Sequence, residues 1–415
     1  MSKNVIVIGG GIIGLSTAYY LQKEGHDVTV IDKSDFTTGA SYVNAGFITP
    51  SHFIPLAAPG MISKGIQWMF NPASPFYVKP RLNLDFLKWS LAFKRASTSS
   101  KVEKAIPIIK DINLLSRDLF EEMKSSNEFN FHYERKGLLM YYQTDKAGEE
   151  EWKIGQRGIK EGLQVENLSL AEIKRIEPKV DLNVKGAVYF HSDAHMTPAD
   201  FMPTMVEFLK SKGVVIKSNQ KINDIEISNQ TITSVLTDKD VYKADEVVLA
   251  AGSWSPLLTK KLGITIPIQA GKGYRINVER ETNITIPSIL SEAKVAATPM
   301  TGYTRFAGTM EIAGINNKIN PIRVDAIAKA AQSYYKDLKI SQKDKSEAQC
   351  GLRPCTPDGL PYIGKSTKCN NLTIATGHAM MGWSLGPATG KLVSEIISNK
   401  KPSLDLQAFH PDRKL

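Results

Sequence analysis

The chain has 415 residues, enough for two to four domains. With 42% hydrophobic and 23% charged residues it can bury a full core, which excludes a disordered chain. The 52 Lys and Arg against 42 Asp and Glu leave a net charge of +10, which composition alone cannot divide among nucleic acid, an anionic membrane surface and an acidic substrate.

From the N-terminus, Lys3 and the apolar stretch behind it imitate a signal peptide. The glycines at 9–11 interrupt it, and no small-residue cleavage site follows. Asn4–Ile8 reads instead as a strand buried on both faces. Gly9, Gly11 and Gly14 then form Gly-x-Gly-x-x-Gly around Ile13, and a helix is predicted over 15–24. Asp27–Ile31 is a second strand, closing on Asp32 and Lys33; Asp32 lies 18 residues after Gly14. In this pattern Gly9 allows a tight turn, Gly11 lets backbone approach a pyrophosphate, and Gly14 lets helix pack on strand. The helix N-terminus faces the phosphates, and Asp32 can accept ribose hydroxyls.

Residues 61–95 carry Lys64, Lys79, Arg81, Lys88, Lys94 and Arg95 against Asp85, a net +5 that is half the whole excess. Trp68, Phe70, Phe76, Tyr77, Phe86, Trp89 and Phe93 are interleaved with them. This fits a surface that docks on anionic lipid, or a buried lid with snorkelling lysines. No apolar run reaches the roughly 18 residues of a membrane span. Gly137–Tyr142 and Gly273–Val278 read as strands of a covering sheet. His191, Asp193 and His195 look like a metal cluster, but precede a helix start at Thr197-Pro198 with Asp200 in its first turn, so a capping segment is preferred and no metal is expected. A helix from Pro198 to about Lys212, Val214–Lys217, Lys221–Ile225 and Ala244–Gly252 follow. Cys350, Cys355 and Cys369 are an odd number without zinc spacing, so neither a disulfide scaffold nor a zinc site is predicted, and a cytoplasmic location is expected. Leu372–Gly377 is a further strand, running into His378 and a helix from about Leu385. Several strand ends meeting one crevice suit a long dinucleotide, FAD rather than NAD.

The chain resembles the FAD-dependent amino-acid oxidoreductases related to D-amino acid oxidase, sarcosine oxidase and glycine oxidase, and looks most like the bacterial D-amino acid dehydrogenases. The resemblance is carried by Ala40-Ser41-Tyr42-Val43-Asn44-Ala45-Gly46, Ile48-Thr49-Pro50, Ala57-Ala58-Pro59-Gly60, Lys272-Gly273-Tyr274, Arg305–Glu311, Gly351-Leu352-Arg353-Pro354, Thr356-Pro357-Asp358-Gly359, Gly377-His378 and Gly382-Trp383. It implies an α/β fold: a discontinuous Rossmann-type FAD-binding domain (1–48, 148–255 and 345–415) with an inserted mixed-sheet α+β substrate domain (49–147 and 256–344). It implies that Arg353 holds the substrate carboxylate, for which a planar guanidinium is suited; a structural pair with Asp358 is the competing role. His378, His52, Tyr274 and Tyr303 are further candidates for the substrate pocket. Ala40, Ser41, Asn44, Ala45, Gly46, Ile222, Ala251, Gly252, Gly377, His378, Met381 and Gly382 are expected along the flavin. The family's covalent attachment position falls on Gly351, beside Cys350, so FAD is expected to be non-covalent. The expected substrate is a D-amino or imino acid, with hydride leaving Cα for the flavin and electrons passing to a quinone or other carrier. D-proline, cis-4-hydroxy-D-proline, sarcosine or glycine as substrate, oxygen as acceptor, and a non-catalytic or tRNA-modifying flavoprotein are the alternatives; no nucleic-acid partner is expected.

Overall fold

A computed structural model describes residues 1–60, 74–79, 81 and 83–415. The expectation for residues 61–95 thus falls partly outside the described residues, with Lys64, Trp68 and Phe70 among those not covered.

The apolar run Asn4–Ile8 becomes the middle of a six-stranded sheet. Its order is Val215–Lys217, Asp27–Ile31, Asn4–Ile8, Glu246–Leu249, Leu372–Thr376, Tyr362–Lys365. The first five strands are parallel and the last antiparallel. Val5 and Val7 are fully buried, as a strand covered by layers on both faces requires. The helices Ile12–Lys23 and Gly386–Ile397 pack together, and Gly390 makes this approach possible: a Cβ there would lie 2.4 Å from the Ser16 backbone.

A nine-stranded mixed sheet forms the second layer system. Its path runs Gln349–Cys355, Gln269–Val278, Tyr303–Ile312, Val295–Met300, Ser288–Leu290, Leu138–Tyr142, Gly186–Phe190, Val165–Ser169, with Phe76–Val78 added beside Tyr303–Ile312. Three of its strands depart from the sequence reading. Val165–Ser169, Gly186–Phe190 and Gln349–Cys355 belong to this sheet, whereas the segments 148–255 and 345–415 were assigned to the nucleotide unit. Conversely, the helix Ser99–Ser125, assigned to the insert, packs into the nucleotide unit's core. Its Ser116 Oγ accepts the amide of Ala388, and its Asn113 Oδ1 accepts the hydroxyl of Ser384. Pairing partners far apart in sequence decide these memberships, and no local pattern reports them. The segment around Ile222 is a strand (Ile222–Ser228), but of a separate antiparallel three-stranded sheet with Thr231–Thr237 and Val241–Tyr242. A last small sheet joins Phe47–Ile48, Ala194–Met196 and Tyr133–Glu134.

Candidate active site

Between the two large sheets lies a cavity of about 1420 Å³. One end is the glycine loop. Gly9 has φ of +114°, and a Cβ there would meet the Ala250 carbonyl oxygen at 2.4 Å. Gly11 sits at the N-cap and has no side chain to close the helix end; Ser41 reaches across, its Oγ accepting the Ile12 amide at 2.9 Å. Asp32 takes the Gly10 amide (2.6 Å) on one carboxylate oxygen and the Ser34 amide and hydroxyl on the other, so it also pins the loop. Lys33 places its ammonium 3.2 Å from the centre of the Trp254 ring, and Lys33, Ile222, Ala251 and Gly252 all line this end. A helix start, a glycine cradle and adjoining lysines fit a dinucleotide's phosphates.

Along the middle run Ile13, Ala40, Ser41, Asn44 and Ala45. Asn44 Oδ1 accepts the Gly46 amide at 2.8 Å. Gly46, at φ of +77°, lies just behind the wall, where a Cβ would strike the Met196 carbonyl oxygen at 2.2 Å. Gly14 and Gly377 are likewise off the wall; Gly14 serves the helix–strand approach, a Cβ there falling 1.8 Å from the Gly9 carbonyl oxygen. The loop 40–46 has a brace to which the sequence analysis assigned no role. Buried Arg305 donates from Nη1 to the carbonyls of Tyr42 (2.9 Å) and Asn44 (2.5 Å), and from Nε to Asn277 (3.0 Å). The signal was available: an arginine in a stretch patterned as a buried strand needs several acceptors at once.

The far end holds Arg353. Its strand pairs with Gln269–Val278, placing Arg353 opposite Gly271 and next to Gly273. A Cβ on Gly273 would fall 2.4 Å from both terminal guanidinium nitrogens, so the guanidinium occupies the space a side chain would fill. Nη1 donates to the Thr309 carbonyl at 2.6 Å. Thr309 is held at φ of +68° in a bulge of the strand Tyr303–Ile312, which turns that carbonyl toward Arg353. Asp358 is taken: both of its oxygens accept from Arg413, at 2.8 and 3.0 Å. Among the described residues no carboxylate pairs with Arg353, leaving a desolvated cation facing the cavity.

His52, His378, Met381 and Gly382 line the cavity near this end. Burial holds the His378 imidazole at about 3, and burial with the Lys294 charge holds His52 at about 4, so both are neutral at pH 7. His378 Nε2 bonds the Thr389 hydroxyl at 2.9 Å, and His52 Nδ1 bonds that of Ser51 at 3.0 Å. Tyr274 reaches the wall, but its hydroxyl donates to Glu311 (2.8 Å), which also pairs with buried Lys272 and Arg323. Tyr303 is not on the wall; its hydroxyl accepts from Arg305 at 3.2 Å. His191 and His195 are also away from it, and His195 lies in the strand Ala194–Met196 rather than in a helix cap.

A glycine cradle at one end of the cavity and a cation at the other suit a flavin-dependent oxidoreductase. Residues 4–396 match the family described as FAD dependent oxidoreductase, DAO, and the chain belongs to it. Its cofactor is FAD. Among similar proteins is "D-amino acid dehydrogenase" of Helicobacter pylori, 31% identical over 398 residues that cover 95% of each chain. The protein of that name from Vibrio vulnificus is 31% identical over 408 residues, 95% of this chain and 96% of its own. Two solved structures share the fold. Glycine oxidase from Geobacillus kaustophilus aligns with a TM-score of 0.79 at 20% identity, over 100% of this chain and 99% of its own. L-proline dehydrogenase from P. horikoshii aligns at 0.73 and 22%, over 99% and 97%.

Proposed function

We propose that the protein is a D-amino acid dehydrogenase, oxidising the Cα–N bond of a D-amino acid to an imine that water converts to a 2-oxo acid and ammonia, or that of a cyclic imino acid to a cyclic imine. The observation that carries this is Arg353, a half-buried guanidinium that among the described residues has no carboxylate partner, at the end of a cavity that begins in a glycine cradle. Full-length relatives named D-amino acid dehydrogenase support the same reading.

Arg353 receives the substrate carboxylate, with Thr309 fixing one edge of the guanidinium and Gly273 leaving it room. A bidentate pair sets both position and orientation. FAD, when bound, supplies the acceptor for the hydride leaving Cα, the amine lone pair becoming the second bond of the imine. The wall contributes positioning and desolvation, with neutral His52 and His378 adding no charge to compete with Arg353 for the carboxylate. Gly351 stands where a cysteine would be needed to tether the flavin, so FAD is held without a covalent bond; denaturation releases all of it, and flavin left on the chain overturns this.

Anaerobic bleaching of the flavin, tried with D- and L-amino acids, prolines and N-methyl glycines, tests the substrate class. D-amino or imino acids bleach it; failure of every one of them sinks the proposal. Dye reduction without peroxide separates a carrier acceptor from oxygen. Arg353→Lys weakens apparent substrate affinity well over tenfold while FAD stays bound, roughly the loss of a charged hydrogen-bonded pair. Unchanged affinity rules Arg353 out as the anchor.

A second reading concerns location. In the helix Leu84–Ala96, Trp89 and Phe93 face inward, and Trp89 Nε1 donates to the Cys355 carbonyl at 2.9 Å, on the strand of Arg353. The outer face leaves Leu84, Leu87 and Leu91 exposed at 72%, 49% and 51%, beside exposed Lys88, Lys94 and Arg95. Such a face suits an anionic lipid surface, where a quinone acceptor would be within reach.

A further inference from the structure

The small sheet behind the flavin loop brings together three side chains that the oxidation does not use. Glu134 and His195 stand directly opposite each other in antiparallel register, and His132 lies two residues before Glu134. One ligand atom from each of the three lies within 4.8 Å of the others. His195 Nε2 is 3.5 Å from Glu134 Oε2, and His132 Nε2 is 3.9 Å from the same oxygen. Ligands at 2.0–2.2 Å around a tetrahedral ion are about 3.4 Å apart, so these gaps need only small side-chain adjustments to close on one.

Two observations point to a ligand rather than a chance cluster. His195 is wholly buried, and neither ring nitrogen is in hydrogen-bonding geometry with a partner. An imidazole so placed loses its hydration in return for little more than the long contact with Glu134. The second is a chain of hydrogen bonds that can hold His132 in its metal-binding tautomer. Thr301 Oγ1 donates to the Asp200 carboxylate at 2.6 Å, so toward Thr197 Oγ1, 3.2 Å away, it can only accept. Thr197 Oγ1 accepts from the Thr301 amide at 3.0 Å and has one proton to give, either to Thr301 Oγ1 or to His132 Nδ1. Given to Thr301, that proton leaves Thr197 Oγ1 to accept from His132 Nδ1 at 2.8 Å. In that arrangement the His132 proton is on Nδ1 and the Nε2 lone pair faces Glu134 and His195, the form that takes a metal. A carboxylate orienting a histidine from behind is the outer-shell arrangement of protein metal sites, lengthened here by two hydroxyls.

We propose that His132, Glu134 and His195 bind one divalent first-row transition-metal ion, best matched by zinc. Two imidazoles and one carboxylate suit such an ion better than calcium or magnesium, which favour all-oxygen sets. The Lys136 ammonium, 2.9 Å from Glu134 Oε2 and half-exposed, is the cation the metal displaces. The ion joins Tyr133–Glu134 to Ala194–Met196, the strand whose His195 faces Phe47 on the cavity wall. It therefore acts as a staple behind the flavin loop and takes no part in the oxidation.

The test uses the full-length, FAD-loaded protein, stripped with chelator and titrated with zinc in metal-free buffer, binding being read by calorimetry and metal analysis. The expected result is one zinc per chain, retained through gel filtration, with a raised melting temperature. Glu134→Gln and His132→Gln each weaken binding by at least about tenfold, and Thr197→Val, which removes the hydroxyl behind His132 along with its bonds to Thr301, does so by about 10–100-fold. Flavin absorbance reports that each variant is folded, and Glu134, at the surface, provides the variant least exposed to misfolding. Absence of stoichiometric zinc in the wild-type protein overturns the proposal. So does wild-type-like zinc affinity in both Glu134→Gln and Thr197→Val.

Discussion

At the scale of single residues, the proposed substrate end is organised by a glycine. Arg353 can lie across the strand Gln269–Val278 because Gly273 offers no Cβ, and the Thr309 bulge then supplies the carbonyl that holds it. Gly273→Ala puts a methyl group 2.4 Å from the guanidinium nitrogens and forces the anchor aside. A displacement near 1 Å at a positioning group costs about a hundredfold, so kcat/KM for the best substrate falls on that order while FAD content is unchanged. Steady-state kinetics beside a flavin spectrum check this, and a wild-type kcat/KM contradicts it. The role proposed for Arg353 was half legible. The sequence showed an arginine just ahead of two prolines, but not whether Asp358 would claim it. That was decided by Arg413, 55 residues beyond Asp358, which takes both carboxylate oxygens.

At the scale of elements, the nucleotide-binding turn was the most readable part, because strand, glycine loop, helix and acid lie within thirty residues and each signal is local. The helix expected from residue 15 begins at Ile12, and Val214–Lys217 is a strand from Val215. The membership of Val165–Ser169 and Gly186–Phe190 was not readable, since a strand's composition does not say which sheet receives it. The cluster of His132, Glu134 and His195 escaped for the same reason: a strand pairing joins residues some sixty positions apart. The helix Leu84–Ala96 was legible as cationic and aromatic, and the structure divides it into an inner aromatic face and an outer leucine face. If the outer face docks on lipid, Leu87→Glu with Leu91→Glu abolishes flotation with anionic liposomes and leaves turnover of a soluble dye intact. Equal flotation of variant and wild type removes the reading.

At the scale of the molecule, the buried histidines set a dependence of stability on acid. His378 is held at about 3 by burial, against an ordinary value near 6.5 in the unfolded chain. Below pH 6.5 the unfolded state therefore binds a proton that the native state refuses, and stability falls as pH drops, by up to about 1.4 kcal/mol per pH unit for this one group. His52, held at about 4, acts in the same direction, whereas Asp193, pushed up to about 7 by burial, opposes them. The difference between variants isolates one proton: His378→Asn loses less stability than wild type between pH 7 and 5 in urea or thermal melts, and parallel curves contradict the assignment. The six-stranded sheet has a further consequence, one of timing. Asn4–Ile8 pairs with Glu246–Leu249, and the helix behind it packs on Gly386–Ile397. During synthesis the first strand and helix emerge with their apolar faces bare and must wait for nearly the whole chain before they are covered. The glycine cradle is thus made long before the elements that complete it, so FAD capture follows the synthesis of Gly386–Ile397, and the segment of the first strand and helix needs protection until then.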